Sequence, residues 1–76
     1  MTYWVKRILL KTGELVTERE LRRDENLFEG PAPVVGDKIV VTCRGREFEA
    51  LVIWGNWPGR DAQPGAIVPL RVEEVG

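Results

Sequence analysis

Between Asp37 and Trp54 every second residue is largely apolar and the residues between them are mixed, which fits the two-residue period of a strand whose successive side chains point to opposite faces. Folding the stretch about Arg44 and Gly45 sets Cys43 against Arg46, Val41 against Phe48, Ile39 against Ala50 and Asp37 against Val52 on a largely apolar face. Thr42 with Glu47, Val40 with Glu49 and Lys38 with Leu51 make the opposite face mixed, as a solvated face is. A slip of one residue would set Phe48 opposite Val40 or Thr42 and mix the faces, so the pattern selects its own register. A two-residue type I′ turn needs positive φ at both central positions, which suits Gly45 and is uncommon for Arg44. A four-residue loop over 43–46 keeps the pairing without that demand and is the expected form.

A second hairpin is expected from 3–11 and 14–22 about a Thr12-Gly13 turn. It pairs Leu10 with Leu15, Ile8 with Thr17 and Trp4 with Leu21 on the core face, and Lys11 with Glu14, Arg7 with Glu18 and Tyr3 with Arg22 on the other. Lys6 then falls on the core face opposite Arg19, a like-charge defect in the pattern. Over 17–26 a short helical turn is the rival reading, since Thr17-Glu18-Arg19-Glu20 has the spacing of a capping box. Leu21 alone would give such a turn an apolar contact, so the strand is favoured.

From Asp24 to Gly36 the breakers Gly30, Pro31 and Pro33 leave a long connection, in which Leu27 and Phe28 are expected to cap one end of the core. Residues 55–65 are too rich in Gly and Pro for a regular element, and 66–74 reads as a closing strand. Pro69 cannot donate to a ladder, which places that strand at an edge or a bulge. The five strands 3–11, 14–22, 37–43, 46–54 and 66–74 are best buried as a small, partly open antiparallel barrel, an all-β fold in one domain over 1–76.

This arrangement resembles the SH3-like barrels, whose Pro-x-x-Gly-Asp lead-in is present as Pro33-Val34-Val35-Gly36-Asp37. The run WGNWPGR at 54–60 is similar to that of short bacterial proteins with no assigned function. The first resemblance implies a binding module and carries over no catalytic residue.

A chain of 76 residues buries a smaller fraction of its surface than a larger domain does, so a large internal active-site cavity is not expected. The net charge of −1 gives no general attraction to nucleic acid or to an anionic membrane. Its distribution is uneven: residues 1–23 hold six basic and three acidic groups, and 24–76 hold five and nine. Cys43 is the single cysteine, which excludes an internal disulfide and suits a reducing compartment. No apolar run has the length of a signal-peptide core or a membrane span, so the cytoplasm is the expected location.

Little supports enzymatic chemistry, and no metal or cofactor is expected. The chain has no His, and a Cys nucleophile or metal site would lack its usual partner. Cys43 reads as a small core filler, although Arg44 and Arg46 beside it could lower its pKa. Glu47 and Glu49 lie on the solvated face of one strand. Trp4 and Trp54 fall on the expected core faces, whereas Trp57 stands in a loop with Asn56, Pro58 and Arg60. An aromatic beside an arginine anchors peptides and bases; the structural alternative is a lid over the barrel end. The expected function is a protein-interaction module using Trp57, Asn56, Pro58 and Arg60 with Arg44 and Arg46. The alternative is a nucleic-acid-binding barrel in which Lys6, Arg7, Arg22, Arg23, Arg44 and Arg46 meet phosphates.

Overall fold

The computed structural model describes residues 2–22, 24–31, 33–56 and 67–76. Among these residues six strands form one sheet: β1 (Thr2–Leu9), β2 (Leu15–Val16), β3 (Leu27–Glu29), β4 (Lys38–Cys43), β5 (Arg46–Gly55) and β6 (Ile67–Glu74). Their order is β2-β1-β6-β5-β4, with β3 also on β1. Among the described residues the fold is all-β and the sheet is not closed; it has six strands and is mixed, where five antiparallel strands are expected. β1 and β6 run parallel, which the long stretch of chain between them allows.

β4 and β5 pair as the alternation requires, with Val41 opposite Phe48 and Ile39 opposite Ala50. Their turn is the two-residue form and not the longer loop, with φ of 55° at Arg44 and 77° at Gly45. The N-terminal hairpin departs further. Leu10 and Glu14 close a three-residue loop over Lys11, Thr12 and Gly13, with Gly13 at φ 92°. This is the form in which a glycine in the left-handed region completes the turn. The extra loop residue shifts the register by one, so Ile8 meets Val16 and Leu9 meets Leu15. Val16 is therefore buried, and Leu15 faces out at 51% exposure.

β2 stops after Val16, because the Thr17 carbonyl accepts the N–H groups of Glu20 and Leu21 in a single tight turn that buries Leu21. The strand to residue 22 does not form; the rival reading is met only by this one turn, which does not extend into a helix. Leu27 and Phe28 belong to a strand and not to a cap, and Phe28 stacks on Tyr3 at 5.4 Å and packs against the core. β6 is central and not at an edge. Pro69 sits where the β5 ladder ends, and its carbonyl accepts the Asn56 N–H at 3.1 Å.

One face of the sheet holds the core: Val5, Ile8, Val16, Val41, Cys43, Phe48, Ala50, Val52, Val68, Leu70 and Val72 are buried, with Tyr3, Phe28 and Ile39 against them. Each fully buried aliphatic contributes about 1.5–3 kcal/mol. The sheet bends around this core until Asn26, 1% exposed, reaches both ends of it. Its carbonyl accepts Val5 N–H of β1 at 3.2 Å, its Nδ2 donates to Thr42 O of β4 at 2.7 Å, and its Oδ1 accepts Thr42 N–H at 2.8 Å. One amide side chain thus takes the place of a strand residue across the open seam. Among the described residues, no helix is long and apolar enough to cross a membrane.

Candidate functional site

The two strands flanking β6 each carry a bulge at the same level. In β1 the register jumps from Val5 opposite Leu70 to Arg7 opposite Arg71, leaving Lys6 as the extra residue. In β5 it jumps from Val52 opposite Val72 to Trp54 opposite Arg71, leaving Ile53 extra. A bulge reverses the alternation beyond it. Trp4 and Trp54, which unbroken parity assigns to the core, therefore lie on the outer face; Trp4 is half-buried beside Pro69 and Leu27, and Trp54 is 37% exposed.

Arg71 is the centre of this outer face. Its guanidinium lies over the Trp54 ring, 4.4 Å from the centroid, and Lys6 Nζ approaches the same ring at 6.0 Å. A cation so placed is attracted by the ring's negative face, worth about 0.5–1 kcal/mol at an exposed site. The Nε–H of Arg71 is buried and, among the described residues, has no hydrogen-bond partner. Exposed Ile53 adjoins Trp54, and exposed Ile67 continues the face along β6. Leu9, Glu73 and Leu51 form the next row on that face. Lys6 in the core position of the N-terminal hairpin is the sequence signal of its bulge, since a lysine does not fit an apolar row. The run Leu51-Val52-Ile53-Trp54 has no polar residue to mark the second bulge, and Arg71 stands in no motif.

The residues expected to bind a ligand are placed as follows. Arg44 is gripped by two carboxylates. Its Nη1 and Nη2 donate to Glu14 at 3.0 and 2.5 Å, and its Nε and Nη2 donate to Glu20 at 2.6 and 2.9 Å. Both glutamates are held below their ordinary pKa, chiefly by those hydrogen bonds. Arg46 lies over the Phe48 ring at 5.0 Å and pairs with buried Glu74 at 3.4 Å. The Glu74 carboxylate also accepts Lys11 N–H at 3.1 Å, which is the leading cause of its lowered pKa. Asn56 is exposed at the end of β5. Trp57, Pro58 and Arg60 lie outside the described residues, as does Arg23. Of the other basic residues, Arg7 pairs with Glu18 at 3.3 Å and Arg22 stands 3.9 Å from Asp24.

Cys43 is 1% exposed at the end of β4. Burial raises its thiol pKa, and the opposing effect of Arg44 and Arg46 does not overcome it. A thiol held protonated in an apolar site is a poor nucleophile. Among the described residues no group of three or more His, Cys, Asp or Glu is arranged to hold a metal. In comparisons with protein-family models, curated proteins and solved structures, nothing matches the chain.

Proposed function

We propose that the chain is a non-enzymatic binding module that recognises another protein through the outer face of β1, β6 and β5 around Trp54. The observation that carries this reading is the pair of bulges on both sides of Arg71, which turn a tryptophan out of the core into a row with Arg71 and Lys6. Bulges are concentrated where a side chain is re-aimed for use. Trp and Arg in one partly exposed cluster beside exposed Ile53 and Ile67 have the composition of an interface hot spot. The partner suited to it offers apolar side chains flanked by a carboxylate, which can meet the Lys6 ammonium beside the Trp54 ring. The Pro33-Val34-Val35-Gly36-Asp37 lead-in, similar to that of SH3-like modules, points to the same class, and a cytoplasmic location agrees with the single buried thiol.

Nucleic acid is the weaker reading because three of the six cations named for it are engaged. Arg7, Arg44 and Arg46 each make an ion pair with a glutamate of the chain. Recruiting them to phosphates would release those carboxylates next to a polyanion.

The test is parallel capture from the source cells on immobilised wild type and Trp54→Ala, followed by titration of the purified captured protein. The variant should bind that protein at least about tenfold more weakly. It should lose only about 1–2 kcal/mol of stability in a urea titration, well short of the loss for a core aromatic. A captured species that nuclease releases, or equal affinity for wild type and variant, would overturn the proposal.

A further inference from the structure

Among the described residues β4 ends the sheet, and Asn26 divides its outer edge. Alternate residues of an antiparallel strand direct both backbone groups to the same neighbour. Asp37 accepts Val52 N–H at 2.8 Å, so Ile39, Val41 and Cys43, in step with it, bond to β5. Lys38, Val40 and Thr42 aim their N–H and C=O groups outward. Those of Thr42 are taken by Asn26, whereas among the described residues those of Lys38 and Val40 meet no partner. Val40 is also 49% exposed. An exposed strand edge of this kind is a template for another strand.

We propose that this edge pairs antiparallel with the same edge of a second copy of the chain, about a two-fold axis at Ile39. The register follows from which groups are open. With the axis at Ile39, Lys38 faces Val40 of the second copy and Val40 faces its Lys38, so that four N–H···O=C bonds form. The next step would set Gly36 against Thr42, where the Val34–Asp37 turn leaves the sheet on one side and Asn26 blocks it on the other. With the axis at Val40, Lys38 would meet the blocked Thr42. With the axis at Lys38, two lysines would face each other. Only the Ile39 register matches every open group with an open group.

The side chains agree with it. Val40 and Glu49 are register partners on the outer face, as are Lys38 and Leu51. In the dimer one row therefore reads Leu51, Lys38, then Val40 and Glu49 of the second copy. Strands lie about 4.8 Å apart, so the Lys38 stem crosses Val40 of the second copy and its ammonium reaches Glu49 beyond. Symmetry makes that pair twice, and the apolar stems cover both copies of Val40. On the inner side the two Ile39 side chains meet and extend the core. The net charge of −1 sets up no repulsion between copies. The paired stretch is short, so the dimer is a weak one, with a dissociation constant on the order of 100 μM.

Sedimentation equilibrium and amide hydrogen exchange of the whole chain, from about 10 μM to about 1 mM, test this. At the expected affinity the Lys38 and Val40 amides exchange about fourfold more slowly at the upper concentration than at the lower. Val40→Pro removes an outward donor and leaves the β4–β5 ladder intact; it should weaken self-association by more than about tenfold. Lys38→Glu should also weaken it about tenfold, and adding Glu49→Lys should restore it to within about threefold of wild type. The charge exchange stands as a test even if the proline variant fails to fold. Trp54→Ala should leave self-association unchanged, which separates this proposal from the outer-face reading. A chain monomeric at about 1 mM, a dimer whose Lys38 and Val40 amides exchange as in the monomer, or a charge reversal without recovery would overturn it.

Discussion

Arg44 adopts a φ of 55° in a turn that favours Asn or Gly, and its own side chain holds it there. The guanidinium spans Glu14 and Glu20, tying the β4–β5 turn to the chain on either side of β2. Its effect is visible in acid. Because Glu14 and Glu20 titrate below the ordinary value of 4.5 when folded, their contribution is present above that pH and is lost as pH falls through their lowered pKa values. In Arg44→Ala both carboxylates return toward the ordinary range. The urea midpoint of the variant should be lower near neutral pH and should fall less steeply than that of wild type between about pH 5 and about pH 3. Parallel acid slopes in the two proteins would show that the cluster does not contribute. The same contacts account for Arg44 being a fastening and not a ligand group, which local sequence could not reveal because Glu14 and Glu20 lie far from it in the chain.

The hairpins show how far alternation carries. β4 and β5 follow it from Lys38 through Val52, since a two-residue turn preserves the register that buries Val41 against Phe48. β1 and β2 depart from it through one residue, because Thr12-Gly13 serves equally a two-residue loop or, with Lys11, a three-residue loop, and the choice inverts every side chain of β2. Gly13 allows the longer loop. A Cβ at Gly13 would meet no atom within 4 Å, so Gly13→Ala tests the backbone alone. It should destabilise the fold by about 1–2 kcal/mol, measured by urea unfolding, because φ of 92° is strained for alanine. No loss would mean that the loop relaxes to the two-residue form, and Leu15 would then become protected. The bulges at Lys6 and Ile53 act at the same scale. Each re-aims one tryptophan, and only the first left a trace in the sequence, as a lysine in an apolar row.

Across the whole molecule, the closing contact is made by Asn26 and not by a strand. Asn26→Ala would leave the N–H and C=O of Thr42 unpaired in a partly buried position and should cost about 1–3 kcal/mol. Hydrogen exchange at Thr42 should accelerate well beyond the change at core amides such as Val72; equal acceleration at both would mean that the seam is not a separate unit. The sequence by itself determined the strand-rich character, the central hairpin and its register, and most of the apolar core, because period two and local turn chemistry are written in neighbouring residues. The tertiary structure alone decided the parallel pairing of β1 with β6, the outward turn of Trp4 and Trp54, the clustering of Lys6 and Arg71 at Trp54, the capture of Arg44 by two glutamates and the seam at Asn26. Each depends on which distant strands become neighbours, and alternation within a strand says which face a residue takes but not which strand lies beside it.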